Sequence, residues 1–487
     1  MKTKINTINW ILAFAFLALS GCSDDFVDIN SQDENSEDYF NTPEEYDLAL
    51  VGAYDLLQST YLNVMLGEIA SDNTLAGGES ATDVPGIQEV DDMVHTPVNQ
   101  QLRDIWSWMF AGVNRANYVL EFQDKIDFDG KTEIIAQARF LRAYYYFELV
   151  KWFGDVPLAV NERILFGSQF DIPRTPKAEI YALIEQDLMF AASNLPATQA
   201  QEGRITSGAA QALLGKAYLY QNKFTEAAAA FEPVINGPYS LVQDYESIFE
   251  PEGENNSESI FEVQYTDKEG AGFGCLQCSE GNVAVGFNGI RNYSGPVFES
   301  GFSFNVPVQE VVDIFSEDDL RKDVAILDIE AWAAQTGATY SEGYEHTGYF
   351  NRKYISRQGD LNTGDANLTN PNNYRAIRLA DVLLMAAEAN FKKSSPDEDK
   401  ARNYLNQVRD RAGLEDVTLS GSNLLNQIYE DRRLELVGEG HRFFDLVRTG
   451  RAADEIDGFV SGKHELFPIP AIEIQLAGNN WEQNPGY

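Results

Sequence analysis

The strongest constraint on the fold is a pair of adjacent helical segments with small residues where the two helices would touch. The stretch "ALLGKAYLYQNKFTEAAAAFEPVI" contains Leu214-Gly215-x-x-Tyr218, followed by Ala227-x-x-x-Phe231. Residues three or four apart lie on one face of a helix. The small residues Gly215 and Ala227 would therefore let the two helices approach closely, with the two aromatic rings filling the space beside them.

This spacing is that of a tetratricopeptide repeat, a unit of two packed helices. A second, looser pair is formed by "RLADVLLMAAEANF" and "KARNYLNQVRDRAGL", with Ala401-x-x-x-Leu405 in its second helix. Strand-like runs are few; they occur at residues 259–265, near Tyr349, and in "ELFPIP" near the end. The sequence therefore predicts a mainly α fold, a tetratricopeptide-like helical scaffold with long loop insertions and a few short strands.

Three further stretches repeat apolar or aromatic residues at helical spacing. Such a stripe is more often part of a hydrophobic core than of a binding site, so we expect these residues to be buried. They are Leu48, Val51 and Leu56 near one face of the first helix, Trp106 and Trp108 in the next, and Phe140, Tyr144 and Phe147 in a third.

The N-terminus predicts secretion and a lipid anchor. The apolar run from Trp10 to Leu19 is too short for a membrane-spanning helix, which needs about 20 residues, and is typical of a secretory signal. Leu19-Ser20-Gly21-Cys22 resembles the bacterial lipobox, which predicts a signal peptide over 1–21 and acylation of Cys22; an ordinary cleavage site is the alternative. The acidic residues that follow favour a lipidated, flexible leader over 22–39, and Ser-Asp-Asp after the cysteine resembles a signal for export to the cell exterior.

The composition disfavours several classes of partner and cofactor. With 76 acidic against 36 basic residues, the chain is unsuited to nucleic acid. Its four histidines are far apart and form no H-E-x-x-H motif, and the G-x-S-x-G, P-loop and dinucleotide patterns are all absent or broken. We therefore expect no metal, no cofactor and no catalytic residue, although a glycosidase with paired carboxylates stays open because acidic residues are so abundant.

Cys275 and Cys278 form a C-x-x-C pair within a glycine-rich loop. Redox catalysis of the thioredoxin type needs this motif between a strand and a helix, and zinc would need two more ligands. With Cys22 lipidated, an even pair of cysteines would remain in an oxidising compartment, which predicts a small disulfide that stiffens the loop. A role for this pair in ligand contact is the alternative.

Several stretches together resemble the RagB/SusD family of outer-membrane nutrient-binding lipoproteins. The carriers, in chain order, are the lipobox, "YFNTPEEYDLALVGAYDLL", "QARFLRAYYYFELVKWFGDVPL", "GRITSGAAQALLGKAYLY", "YRAIRLADVLLMAAEAN", "LNQVRDRAGL", "EDRRLELVGEGHRFFDLVRTG" and "NPGY". The resemblance implies a non-enzymatic protein that binds oligosaccharide or polysaccharide. It also implies a lid on a SusC-like TonB-dependent transporter of the outer membrane. An N-terminal part (40–250) and a C-terminal part (251–487) would pack as one body.

The charged residues of "EDRRLELVGEGHRFFDLVRTG" have a structural interpretation. Opposite charges recur there three or four residues apart, as neighbours on a helix would. Arginine side chains held by carboxylates can join two helices, so we expect these charges to hold the scaffold together and to take no part in ligand binding.

Sugars offer flat C–H faces to aromatic rings and hydroxyl groups to Asn, Asp and Arg, which selects candidate ligand-binding residues in three loops. The candidates are Asp72, Asn73 and Asn99 in the first loop, Asn288, Arg291 and Tyr293 in the second, and Trp332, Tyr344 and Tyr349 in the third.

Two other functions stay open at this stage. A glycoside hydrolase would shorten the bound oligosaccharide, and a tetratricopeptide adaptor would bind only protein. A peptide nutrient in place of a glycan is also compatible with the resemblance.

Overall fold

The computed structural model describes residues 39–160, 162–165, 172–359 and 367–487. The predicted signal peptide, the acylated Cys22 and all but the last residue of the leader lie outside the described residues and stay predictions. Within the described ranges, no helix has both the length and the apolar character that a membrane span requires.

Helices dominate the fold, which confirms the predicted mainly α class. The first nine are α1 (Pro43–Asp55), α2 (Tyr61–Ile69), α3 (Pro85–Asp91), α4 (Gln100–Glu121), α5 (Lys131–Phe153), α6 (Lys177–Asn194), α7 (Ser207–Tyr220), α8 (Phe224–Ile235) and α9 (Val283–Asn288). The others are α10 (Gln309–Ile314), α11 (Lys322–Ala325), α12 (Ile329–Thr336), α13 (Leu379–Lys392), α14 (Glu398–Arg411), α15 (Gly421–Leu436), α16 (Arg442–Arg448), α17 (Ala452–Glu455) and α18 (Ala471–Leu476). Short 3₁₀ turns occur as well, among them Leu56–Thr60 between α1 and α2 and Leu276–Cys278.

Side chains at the N-termini fix where several helices begin. Thr42 caps α1 in a capping box with Glu45, Asn99 accepts from the Leu102 amide at the start of α4, and Thr206 accepts from the Ala209 amide at the start of α7. Consecutive helices then pack in series from α4 to α8, and α8 packs against α13, which pairs with α14. Both predicted helix pairs are therefore present, and they are neighbours in one array.

In the described part of the chain, ten short strands form five two-stranded sheets. In antiparallel pairs, β1 (Thr74–Ala76) meets β7 (Asn305–Pro307), β2 (Val156–Pro157) meets β3 (Arg174–Thr175), β4 (Ser259–Val263) meets β10 (Tyr374–Arg378), and β8 (Ile326–Asp328) meets β9 (Tyr349–Asn351), while β5 (Ile290–Arg291) runs parallel to β6 (Ser300–Gly301). The strands expected at 259–265 and near Tyr349 are confirmed. The one expected in "ELFPIP" is wrong, because Pro468 and Pro470 have no N–H group to donate to a ladder.

The main hydrophobic core includes residues from Phe40 to Trp481, and two smaller clusters of buried residues are separate from it. Phe140, Tyr144 and Phe147 are buried in it, as predicted. The prediction for α1 is wrong in part: Leu48 and Val51 are 63% and 46% exposed, and the buried face carries Tyr46, Leu50 and Ala53. The core contains residues on both sides of residue 250, and the division into 40–250 and 251–487 stays a prediction.

The charges near the C-terminus form the predicted intramolecular pairs. Arg432 donates to Asp445 at 2.7 Å and also pairs with Asp381 on α13. Arg378 donates to Glu439 at 2.9 Å and pairs with Glu435 on α15. All of these side chains are buried, so they join helices within the scaffold and are not available to a ligand.

Candidate ligand-binding site

An open cavity of about 370 Å³ lies between α2, α4 and segments of the chain between residues 273 and 304, and we call it the Trp108 cavity. α4 contributes Gln101, Asp104 and Trp108, which share one helix face because they are three and four residues apart. The aromatic residues of the cavity are Tyr61, Trp108, Phe273, Phe287, Phe302 and Phe304.

These aromatic rings contact one another and form an apolar wall. Tyr61 lies against Trp108 with ring centroids 6.1 Å apart, and Phe287 contacts Phe302 at 5.6 Å. Trp108 lines the cavity although it is only 9% exposed, so most of its ring is buried. Phe273 differs from the others because 60% of it is exposed at the mouth, edge-on to Phe302 at 5.7 Å. An exposed phenylalanine beside an apolar cavity is typical of a ligand contact.

Polar side chains lie along one side of the same cavity. Arg291 donates from Nη2 to the Phe302 carbonyl at 2.9 Å and lies 3.4 Å from the Asp83 carboxylate, with Glu79 at 4.0 Å. These contacts hold the guanidinium in a fixed position between two acids. The arrangement combines a fixed donor with carboxylate acceptors beside an aromatic wall.

Two acceptors on α4 complete the polar lining. Burial raises the pKa of the Asp104 carboxyl. The Gln100 side chain donates to this carboxylate at 2.7 Å and partly offsets the rise in pKa. The Gln101 amide packs against Gly86, where a Cβ would lie 1.7 Å from Oε1, so any larger residue there would displace the Gln101 side chain. Gln101 Oε1 is buried and accepts no hydrogen bond from any described residue. Sugar hydroxyl groups, which both donate and accept, fit such a lining.

Cys275 and Cys278 are joined by a disulfide with an S–S distance of 2.01 Å. The short turn that contains them, Leu276–Cys278, packs against the 3₁₀ turn Leu56–Thr60 that precedes α2. Leu276 lines the cavity, and Phe273 precedes the disulfide by two residues. The glycine-rich loop is therefore part of the cavity wall.

Of the nine predicted ligand-binding residues, the structure places Arg291 in this cavity. Asp72 instead pairs with Arg442 at 2.7 Å and Arg433 at 2.9 Å, and Asn73 is buried between Glu68 and Arg433. Both residues therefore tie the first loop to the C-terminal helices.

Asn99 and Asn288 are also buried and have structural partners. Asn99 caps α4 and donates to the Gly86 carbonyl at 2.9 Å and to Glu89 at 2.8 Å. Asn288 donates to the Tyr354 carbonyl at 3.1 Å and accepts from Asn305 at 3.0 Å. Their hydrogen bonds are already made within the protein, which argues against the predicted ligand contacts.

The aromatic candidates lie outside the Trp108 cavity. Tyr293 is buried in a small core, where its hydroxyl accepts from Trp332 Nε1 at 2.9 Å and donates to the Pro296 carbonyl at 2.7 Å. Tyr349 donates to Gln309 at 3.0 Å. Tyr344 lies with Asp72 in a larger cavity of about 700 Å³. Ligand contact by these residues stays a prediction that the geometry does not favour.

Seven of the sixteen described residues that line that larger cavity are acidic. Burial raises the pKa of Asp91 there to about 7, with Asp92 and Glu345 acting in the same direction. It lacks the aromatic wall of the smaller cavity, since Tyr344 is the one aromatic ring in its described lining. The smaller cavity is the better candidate for an uncharged ligand that has apolar faces.

Most residues of the Trp108 cavity are not among the predicted ligand contacts. Trp108 is predicted to lie in the core, which is correct for most of the ring, but the residue also lines the cavity. Two signals were available: Gln101, Asp104 and Trp108 lie on one helix face, and Phe273 stands between two glycines beside the C-x-x-C pair. Neither signal shows by itself that the two segments meet.

Comparison with known proteins identifies the family. A model of the SusD family matches residues 328–487, and a model described as starch-binding and associating with the outer membrane matches residues 25–219. SusD-like protein P2 of Formosa agariphila is 27% identical, and the match covers 97% of this chain and 98% of that protein.

Solved structures agree over most of the chain. A laminarin-binding SusD-like protein is 37% identical with a TM-score of 0.84, over 92% of this chain and 100% of that one. Surface glycan-binding protein A of Bacteroides thetaiotaomicron, solved with laminarihexaose, is 28% identical with a TM-score of 0.80, over 91% and 100% of the two chains. The fold, the two family models and these relatives together show that this chain belongs to the SusD/RagB family.

Proposed function

We propose that this protein binds a neutral oligosaccharide of the laminarin type in the Trp108 cavity. The observation that carries the proposal is the combination of an aromatic wall with a fixed polar side, Arg291, Asp83, Asp104 and Gln101, in one open cavity. Aromatic rings cover the C–H faces of a sugar, while fixed donors and acceptors select its hydroxyl groups. The 37% identical relative that binds laminarin supports this choice of ligand.

The charge of the cavity favours a neutral glycan. Glu79, Asp83 and Asp104 face a single arginine there, and the whole chain has a formal net charge of −40. A polyanionic glycan would be repelled by this surface. Sulfated or uronic-acid polymers should therefore bind more weakly than laminarihexaose.

We further propose that the protein acts at the outer membrane, facing the cell exterior. Acylated Cys22 would anchor it, because two or more acyl chains hold a protein stably on a bilayer. The protein would deliver its ligand to a SusC-like TonB-dependent transporter as a hinged lid, with the leader as the tether. The family model described as associating with the outer membrane supports this location.

A titration of the purified protein with laminarihexaose tests the proposed ligand. Phe273→Ala should weaken binding about tenfold, or about 1.4 kcal/mol, because an exposed aromatic contact is lost. Leu320→Ala, which truncates an equally exposed apolar residue outside the cavity, should bind as the wild type does. Calorimetry gives the affinities, and thermal unfolding checks that both variants are folded.

Two outcomes would contradict the proposal. If the wild type binds none of the oligosaccharides tested, the glycan assignment is wrong; pull-down of protein partners would then favour an adaptor. If Phe273→Ala and Leu320→Ala behave alike, the ligand binds elsewhere. Chromatography of the bound sugar after long incubation separates binding from hydrolysis, and we expect no shortening.

A further inference from the structure

The loop between Thr266 and Glu280 is fixed at its base. The Thr266 amide donates to the Glu280 carbonyl at 2.8 Å, which closes the loop. From the 3₁₀ turn before α2, the Gln58 side chain donates to the Gln264 carbonyl at 3.1 Å and to the Glu280 carboxylate at 3.1 Å. The ends of the loop are therefore attached to the scaffold beside the cavity.

The middle of the loop has little intrinsic rigidity. Gly270, Gly272 and Gly274 surround Phe273, and glycine has the largest backbone freedom of all residues. A Cβ on Gly274 would meet no described atom within 4 Å, so steric contact does not explain that glycine. The Phe273 ring is 60% exposed and contacts Phe302 by one edge. Packing alone would hold this ring weakly.

The Cys275–Cys278 disulfide lies between this flexible stretch and the fixed base. The Cys275 amide donates to the Gly272 carbonyl and the Cys278 amide to the Cys275 carbonyl, both at 3.2 Å, so Phe273 lies inside the first of two consecutive tight turns and the disulfide closes the second. Ser279, buried next to Cys278, donates to the Leu368 carbonyl at 2.6 Å. The disulfide therefore ties the residues after Phe273 to a buried anchor.

A disulfide between residues three apart has little effect on global stability. In the chain-entropy description, the stabilisation grows with the length of the closed loop, and this loop is among the shortest. The bond also lies within one surface loop and joins no two helices or strands of the core. Its effect is expected to be local.

We propose that the Cys275–Cys278 disulfide is a positioning element of the glycan site, which holds Phe273 at the mouth of the Trp108 cavity. This inference rests on the proposed function. Ordering the loop before the ligand arrives lowers the entropy cost of binding. The disulfide acts through Phe273 and touches no ligand atom itself.

The test combines the double variant Cys275→Ser/Cys278→Ser with Phe273→Ala. The double variant should bind laminarihexaose about three- to tenfold more weakly than the wild type, because the ring must be ordered on binding. Adding the serine pair to Phe273→Ala should cause no further loss, since the disulfide acts through that ring. The unfolding temperature should be the same for the wild type and the double variant.

A partial rescue sharpens this test. Gly274→Ala in the serine background should recover part of the affinity, because alanine reduces backbone freedom and its Cβ has room. Wild-type affinity in the double variant would overturn the inference, and so would independent, multiplying effects of the serine pair and Phe273→Ala. A lowered unfolding temperature would show a stabilising role in place of a positioning one.

A measurement without glycan separates this inference from the proposed function. Hydrogen exchange of residues 270–278 should be faster in the double variant than in the wild type. If the wild type binds no oligosaccharide, the proposed function fails, and the exchange result still decides whether the disulfide orders the loop. Equal exchange rates in the two proteins would overturn the inference.

Discussion

Glu435 on α15 is a buried carboxylate shared by three arginines. Arg378 and Arg411 donate to its Oε1, and Arg321 Nη1 lies 3.4 Å from its Oε2. Burial alone would raise the pKa of Glu435, but Arg411 and Arg378 beside it hold the pKa well below its usual range. The glutamate therefore stays ionised, and the charges of the cluster compensate one another inside the protein.

Glu435→Gln should destabilise the protein by about 3–5 kcal/mol, because it leaves buried arginines without their charge partner. Glu430→Gln removes an exposed carboxylate from the same helix and should change the stability by less than about 0.5 kcal/mol. Denaturant unfolding at neutral pH measures both. A loss below about 1 kcal/mol for Glu435→Gln would mean that the cluster reorganises around the amide.

Charge spacing predicted a structural role for the C-terminal charges, but residue type did not identify the binding residues. Opposite charges recur at helical spacing around Glu435, whereas its partners Arg321, Arg378 and Arg411 lie in other parts of the chain and could not be predicted from that pattern. The side-chain chemistry of Asn99 and Asp72 suits sugar contacts, yet the same chemistry caps a helix and pairs with arginines. Neighbours that are distant in the sequence decide which of these roles a polar residue takes.

At the scale of elements, the α7–α8 pair shows how one glycine sets a helix contact. A Cβ on Gly215 would lie 2.3 Å from Phe231 Cε1, and further ring atoms would lie at 2.6 and 2.8 Å. The predicted close approach of the two helices at Gly215 is confirmed, because the Phe231 ring of α8 occupies the space that a side chain at residue 215 would need. Phe231 itself is buried.

Gly215→Ala should destabilise the protein by about 1–3 kcal/mol through overpacking against Phe231. Gly52→Ala is the matched control in a helix, because a Cβ there would meet no described atom within 4 Å. That change should stabilise by about 0.5–1 kcal/mol, since alanine is the better helix former. Stabilisation of both variants would contradict this prediction, because it would mean that the Phe231 ring moves aside to accept a Cβ at residue 215.

Helix periodicity predicted the elements better than it predicted their faces. The helices of both pairs occur where the spacing places them, but α1 buries Tyr46, Leu50 and Ala53 and exposes Leu48. The first helix has apolar residues on two faces, and only its neighbours decide which face becomes the core. The same limit applies to strands, because partners such as β1 and β7 are more than 200 residues apart.

At the scale of the whole molecule, the candidate site is assembled from distant parts of the chain. Tyr61, Trp108 and Phe273 belong to three separate segments, and each looks ordinary in its own sequence context. The fold class and the family follow from local patterns that recur along the chain. The cavity follows from how α2, α4 and the disulfide loop pack together, which no local pattern records.

Tyr487 packs against the loop before α4. His95, in the loop before α4, lies 2.7 Å from the Tyr487 hydroxyl through Nε2, and its ring contacts Phe467 and His464 at 4.8 and 5.4 Å between centroids. Burial lowers the pKa of His95, the nearby His464 and Lys463 act in the same direction, and together they bring it to about 3. The histidine is therefore neutral in the folded protein over most of the acidic range.

This contact predicts a specific pH dependence of stability. Below about pH 6.5, the unfolded chain binds a proton at His95 and the folded protein does not, so stability is lost as the pH falls from about 6.5 towards 3. His95→Gln removes this linkage. As the pH falls from 7 to 4.5, the free energy of unfolding should therefore decrease by roughly 2 kcal/mol more for the wild type than for this variant. Tyr487→Phe keeps the imidazole buried while removing the hydroxyl. The difference in free energy of unfolding between this variant and the wild type should therefore stay nearly constant over the same pH range. Denaturant unfolding across this pH range measures both differences. If the difference between His95→Gln and the wild type does not change with pH, His95 takes up its proton in the folded state as readily as in the unfolded chain.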